Sequence, residues 1–389
     1  MDVRFHPRLA DIDAAAWNAL RPDDSPFLSH AFLEGLERTG CIRSHWGWQP
    51  HHLGLYRDGA LIGAAPLYLK GNSHGEFVFD WAWAAAYERS GRDYYPKLLA
   101  AVPYSPVSGP RLLAGTSPDP AVQRHLIEAI RGECDRRQLS TAHVNFLQPR
   151  DVELFDTPHW LARSDWQFHW HNRAYRDFDD FLDALTHKKR KNIRQERALV
   201  ARSGVHAQIV QGDELDDAMW RFLHTCYCTT FQEKGNHPAL TADFFRHLGQ
   251  HLPRNVVAII GYRGATPIAA ALCLRDATTL YGRYWGCLET VPGLHFELCY
   301  YQGIDYCIRH GLQRFEPGAQ GEHKLARGFL PRRTRSFHYV ADLRFRQAIA
   351  DALRHEARAI SDYGAELERH SPYADHVCHG APSDPPEFP

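Results

Sequence analysis

The sequence predicts an α+β protein built from two similar halves. Three observations carry this: a capped-helix pattern occurs twice, a hairpin pattern follows each copy, and each half closes with a helix running into a short strand. The chain has 389 residues, room for two domains at roughly 150 residues each.

The first capped helix reads Pro26-x-Leu28-Ser29-x-x-Phe32-Leu33-x-x-Leu36, and the second reads Pro238-x-Leu240-Thr241-x-x-Phe244-Phe245-x-x-Leu248. Ser29 and Thr241 stand where an N-cap belongs, since a hydroxyl accepts from the free N–H groups of a first turn. Apolar residues then recur at three- and four-residue steps, giving one buried helical face. The hairpins follow, His52–Leu67 turning at Asp58-Gly59 and Val256–Leu272 turning at Arg263-Gly264. Tyr56, Arg57, Ile62, Ala64 and Ala65 recur as Tyr262, Arg263, Ile268, Ala270 and Ala271. Turn position and residue order therefore agree as well as composition. The closing helices are Ala121–Arg137, before Thr141–Phe146, and Phe296–His310, before Leu312–Glu316. Helices around antiparallel hairpins make an α+β domain. Residues Lys70–Pro118, with Gly, Pro and many aromatics, read as an elaborated site loop. These elements divide the chain into a first domain over 1–165, a second over 166–370 that carries a basic helix, and a mobile, proline-rich tail over 371–389.

A formal net charge of −1 excludes wholesale electrostatic attraction to nucleic acid or anionic lipid, so any polyanion site must be a local patch. No apolar run approaches the ~18 residues of a membrane-spanning helix, and the first residues lack the apolar stretch of a signal peptide. Nine scattered cysteines then read as reduced thiols. A cytoplasmic protein is expected.

Such a patch exists. Lys188, Lys189, Arg190, Lys191, Arg194 and Arg197 place six positive charges in ten residues. They suit a grip on the phosphates of tRNA, a nucleotide-linked precursor or a CoA tail; the alternative is a solvated helix face. Further on, Arg283 and Trp285 lie in a glycine-flanked strand, and His295 and Glu297 at a helix start that attracts anions. The alternative there is that Glu297 caps the dipole and the aromatics are core.

The richest stretch is Glu316–Phe329. Glu316, Gln320, Glu322, His323, Lys324 and Arg327 surround Gly318, Gly321 and Gly328. A core segment would not hold this density, because each buried charge needs a partner. In a site loop, Lys324 or Arg327 would stabilise a developing oxyanion, and Glu316, Glu322 or His323 would take a proton. In the first half, Asp80, Tyr94, Lys97 and Arg111 are the polar tips of an aromatic, Pro-rich set suited to a substrate pocket. His224-x-Cys226-x-Cys228 carries no metal expectation, since on a helix Cys226 points away from the other two. Nucleophile-elbow, phosphate-loop and dinucleotide fingerprints do not occur.

At these residues the sequence resembles the bacterial FemAB-like predicted N-acyltransferases of peptidoglycan biosynthesis or recognition type, related to the Fem aminoacyltransferases and the wider GNAT superfamily. The resemblance runs over roughly Phe5–Arg358. It is most specific at Phe79–Ala84, Tyr94–Leu98, Ser108–Leu113, the Lys188–Arg197 run, Tyr281–Gly286, His295–Gln302 and Gly318–Gly328. It implies two tandem GNAT-like domains and transfer of an aminoacyl group from charged tRNA to an amine on a cell-wall precursor. It also implies a lysine near the end of the second domain that helps stabilise the tetrahedral intermediate; Lys324, upstream of Gly328-Phe329, is the nearest match, at a different spacing. The helical hairpin that Fem proteins insert for tRNA is not evident, and the GNAT pyrophosphate loop occurs in neither half.

The expected function is N-acyl transfer from an activated acyl or aminoacyl donor to the amine of an amino acid, peptide or cell-wall precursor. The donor would be a co-substrate, aminoacyl-tRNA or acyl-CoA, with no tightly bound cofactor and no metal. The alternatives are a CoA-dependent N-acetyltransferase and a non-catalytic peptide- or glycan-binding module on the same scaffold.

Overall fold

The computed structural model describes residues 1–319 and 321–374. Its strands, in chain order, are β1 (Asp2–His6), β2 (Trp48–Pro50), β3 (His52–Arg57), β4 (Ala60–Ala65), β5 (Leu67–Lys70), β6 (Lys97–Ala100), β7 (Thr141–Val144), β8 (Trp160–His171), β9 (Val205–Gln211), β10 (Val256–Arg263), β11 (Thr266–Arg275), β12 (Thr279–Cys287), β13 (Arg314–Glu316) and β14 (Leu330–Val340). One sheet has the order β1-β3-β4, the other β2-β5-β6-β7-β14-β8-β13-β12-β11-β10-β9.

The duplication is real in three dimensions. Ser29 Oγ accepts from the Phe32 N–H, and Thr241 Oγ1 from the Phe244 N–H, at the starts of helices His30–Arg38 and Ala242–His251. The two helices meet: the rings of Phe32 and Phe244 pack edge to face at 5.5 Å, inside a core that spans both halves. Both hairpins bulge at the same place, between Leu55 and Tyr56 and between Gly261 and Tyr262. Each accepts an antiparallel strand on its outer side, β1 on β3 and β9 on β10. Each half then forms a short parallel ladder, β6 with β7 and β12 with β13. The halves differ at Pro66. It separates β4 from β5, and β3 and β4 form a separate sheet with β1. β11 runs unbroken.

Two long strands stitch the halves together. β14 pairs antiparallel with β8 from Leu330↔His169 to Tyr339↔Trp160. On its far edge it pairs with β7, and β8 pairs with β13. The expected boundary at 165 therefore falls inside β8, and a strand assigned to the second domain completes the sheet of the first. Helix Leu343–Arg369 lies across this seam, where Trp166 Nε1 donates to Ile360 O at 2.9 Å and Arg163 pairs with Glu356 at 2.7 Å.

The expected tail also starts too early. Tyr373 is buried, and its hydroxyl donates to Gly328 O at 2.8 Å; the Thr186 N–H donates to Pro372 O at 2.9 Å. An aromatic ring with a hydroxyl satisfied in the core outweighs the local proline content. The rest of the tail, 375–389, lies outside the described residues. All eight described cysteines are free, and no helix among the described residues is long and apolar enough to cross a membrane.

Candidate active site

β12 and β13 pair only from Thr279↔Arg314 to Tyr281↔Glu316 and then part at Gly282 and Pro317. A Cβ on Gly282 would lie 3.2 Å from Pro317 Cα, so a glycine permits the close fork. Beyond it a cavity of about 810 Å³ opens between the halves. Trp46, His74 and Tyr104 line it from the first half, and Arg283, Trp285, His295 and Tyr300 from the second. Arg283 is the extra residue of a bulge, since Cys273 pairs with Gly282 and Leu272 with Tyr284. Such a bulge re-aims a side chain. Burial, aided by nearby cations, pushes His295 down to about 4, so its ring is neutral at physiological pH.

The matching fork in the first half is filled. β6 and β7 part after Ala100↔Val144, and the following loop inserts, with the Gly109 N–H on Phe146 O and the Gln148 N–H on Gly109 O. Arg111 holds this plug. It donates from Nε to Asn145 O at 2.9 Å and from its other nitrogens to Pro110 O at 2.9 Å and Val107 O at 2.5 Å. It is fully buried. The sequence expectation that Arg111 binds substrate is corrected: its donors are consumed by backbone carbonyls. One fork is open and one is closed.

The 316–329 segment forms the wall behind the open fork. Lys324 sits in the short helical turn Glu322–Arg327. Its Nζ donates to Gly318 O at 2.7 Å, and Gly318 lines the cavity. Lys324 is 3% exposed, and burial lowers its pKa to about 8. His323 Nε2 lies 2.8 Å from the Tyr300 hydroxyl. Tyr300 belongs to a wide turn, Glu297–Tyr301, where the Gln302 N–H reaches back five residues to Glu297 O. Turns of this kind recur at functional sites.

The acidic candidates separate. Glu322 is exposed and accepts from the Tyr363 hydroxyl at 2.5 Å, away from the cavity. Glu316 is buried 2.9 Å from Arg314; burial raises its pKa and Arg314 opposes the rise. Gln320 lies outside the described residues. Arg327 does not line the cavity: it donates to Glu196 Oε1 at 2.8 Å and to the Tyr301 hydroxyl at 3.0 Å, with its guanidinium 3.5 Å above the Phe296 ring. Glu297 likewise turns to Arg197, at 3.2 Å, and to Gln302, at 2.7 Å. The charges expected at the site thus satisfy one another, as burial demands.

Asp80, Tyr94 and Lys97 are also corrected. They are buried in a closed network: Lys97 Nζ lies 2.6 Å from Glu76 and 2.5 Å from Asp80, while the Tyr94 and Ser73 hydroxyls donate to Asp80. Desolvation nonetheless raises Glu76 to about 7. Glu76, Asp80 and His143 could otherwise hold a cation, but the Lys97 ammonium already bridges the two carboxylates. The network anchors the segment whose His74, Gly75 and Phe77 line the cavity.

On helix His187–Arg202, Lys188 and Lys191 are exposed and Lys189 is half-buried, while Arg190 pairs with Asp183 and Arg194 with Asp179. A groove of about 320 Å³ runs along it, lined by Arg190, Lys191, Arg194 and Arg202. On helix Asp217–Glu233, His224 contacts Cys228 at 3.7 Å and Cys226 is buried apart from them, as the spacing predicts.

The FemAB-like family, described as peptidoglycan biosynthesis/recognition, matches residues 8–375, and the chain belongs to it. Among solved structures, FemX superposes with a TM-score of 0.54 at 10% identity, over 90% of this chain and all of that one. The C-terminal domain of a putative lysylphosphatidylglycerol synthetase from Agrobacterium fabrum gives 0.51 at 12% identity, over 90% of this chain and 97% of that one. L-PGS from Bacillus licheniformis gives 0.50 at 11%, over 86% and 97%. No curated protein matches. The chain has the α+β architecture of two similar units expected from its sequence, and shares the fold of FemX.

Proposed function

We propose that the protein is an N-acyltransferase that joins an activated acyl or aminoacyl group to an amine in the cavity between its halves. The observation that carries this is the open fork between β12 and β13, with Lys324 at its back wall. Beyond Tyr281 this edge of β12 has no strand partner among the described residues. Its backbone groups can meet an acyl carbonyl, and Lys324 stands one hydrogen bond behind the Gly318 wall.

In this reading the amine nitrogen attacks the carbonyl carbon. A C–N bond forms, the oxygen takes the negative charge, and collapse breaks the bond to the tRNA ribose oxygen or the CoA sulfur, which leaves with a proton. Strand N–H groups donate to the oxyanion, and the Lys324 charge supports it from behind the Gly318 wall, an arrangement that works best in a water-poor site. The amine proton passes to Tyr300 and His323; of Glu316, Glu322 and His323, only His323 touches a group that lines the cavity. The basic groove on helix His187–Arg202 would hold donor phosphates. Incubation with aminoacyl-tRNA, acyl-CoA and amine pools, read by mass spectrometry for new amides, tests the reading. Product with one donor class identifies it; binding without product from any donor overturns the reading in favour of a recognition module.

A further inference from the structure

The cavity is chemically one-sided. No described lining residue is Asp or Glu, whereas Arg283 and Lys234 both line it. Arg283 makes no ion pair with a carboxylate among the described residues. One nitrogen donates to Tyr104 O at 2.8 Å, and its Nε is buried with no partner. Lys234 is exposed at the end of helix Asp217–Glu233 and makes no ion pair among the described residues. Trp46, Phe231 and Trp285 supply apolar walls. The two lining cations attract a carboxylate, and the guanidinium fork is well shaped for charge-assisted hydrogen bonds to one. A ligand ammonium would meet two like charges and no carboxylate among the described lining residues.

We propose that this cavity takes a substrate bearing one free carboxylate on an apolar, aromatic or branched body, an amino acid or short peptide that serves as acceptor, and rejects substrates that bring an additional cationic side chain. Arg283 anchors the carboxylate and Lys234 supports it. The same cationic surroundings favour the neutral form of the acceptor amine, which is the form that attacks. The role of acceptor rests on the transferase reading; the recognition itself does not.

Calorimetric titration with 3-phenylpropionate, 3-phenylpropylamine and acetate tests it. The aromatic carboxylate is expected to bind at least about tenfold tighter than either of the others, a difference that one charge-assisted contact and one buried ring supply. Arg283→Gln, and the surface variant Lys234→Gln, which leaves the core untouched, should both weaken the carboxylate selectively. Equal binding of the amine, or unchanged carboxylate affinity in both variants, overturns the proposal. Carboxylate selectivity without amide formation from any donor upholds it and removes only the transferase reading. Equal kcat/KM for phenylalanine and lysine acceptors removes the proposal and leaves that reading standing.

Discussion

Arg327 and Glu196 lie 131 residues apart in the chain and form an ion pair of 2.8 Å that fixes the basic helix to the turn carrying Lys324. Their side chains are only 10% and 29% exposed, so solvent screens the pair weakly. Glu196→Ala would leave a largely buried guanidinium with one charge partner fewer. The expected loss is about 1–3 kcal/mol, which urea denaturation measures. Unchanged stability would show that Tyr301 and the His323 carbonyl suffice to hold Arg327.

Lys324→Ala should lower turnover by up to ~10²–10³ with the fold retained, since it removes the charge behind the Gly318 wall, and the cost of losing a direct oxyanion donor is the upper bound. Because burial brings the lysine to about 8, its charge is present below that pH and lost above it. The rate should therefore fall as pH rises through 8, and Lys324→Arg should abolish that fall, as a guanidinium stays charged. Amide formation measured from pH 6 to 10 decides. Near-wild-type turnover in Lys324→Ala excludes the lysine from the chemistry.

Tyr300→Phe removes the hydroxyl that links the cavity to His323. A loss of about 10²–10⁴ in kcat, with KM little changed, is the range for a positioned proton-transfer group. If the two side chains act as one relay, Tyr300→Phe combined with His323→Gln costs no more than either alone. Additive losses would separate them.

Reversing Lys188, Lys191 and Arg194 to glutamate should weaken binding of the polyanionic donor and leave acceptor affinity unchanged. Each cation withdrawn from a phosphate lowers the slope of log K against log salt by about 1. Filter binding of tRNA, or calorimetry with CoA, at several salt concentrations provides the measurement. An unaltered slope would make the run a solvated face.

The protein should be sensitive to acid. His143, His169 and His338 are fully buried, and burial holds their pKa values well below 6.5; His171 is brought to about 3 and His295 to about 4. Between these values and 6.5 the unfolded chain binds protons that the folded chain does not, so stability falls as pH drops below 6.5. Each such histidine contributes a slope of about 1.4 kcal/mol per pH unit. Urea midpoints at pH 7, 6 and 5 measure the sum; a flat profile would mean that these rings acquire partners when protonated.

The repeat was legible because its signals are local. A cap three residues before an aromatic, a tight turn and an alternating strand need only their neighbours to act, and Ser29, Thr241 and both hairpins form as read. Arg283, Trp285 and His295 line the cavity and Lys324 stands behind its wall; Arg283 follows Gly282, the glycine at which the fork opens. What the sequence hid depends on distant partners. Arg111, Asp80 and Lys97 have the residue types of a site, yet Asp80 and Lys97 neutralise each other in a closed network and Arg111 is consumed by backbone carbonyls of its own loop and of Asn145, a use that residue type alone does not announce. Trp46 reaches the cavity from a segment with no motif of its own, while Tyr300 and His74 lie in segments read as a motif and a site loop but are not themselves the residues those readings single out. The seam between β8 and β14 has no sequence signature, since strand pairing at such separation leaves no local pattern.

That seam has a consequence for the life of the chain. The sheet of the first half receives a central strand from residues 330–340, so during synthesis it waits, with the edge of β7 uncovered, until those residues have left the ribosome. Truncation after residue 329 would expose two sheet edges, on β7 and β8, to pairing with other chains. The two similar halves thus share one continuous sheet.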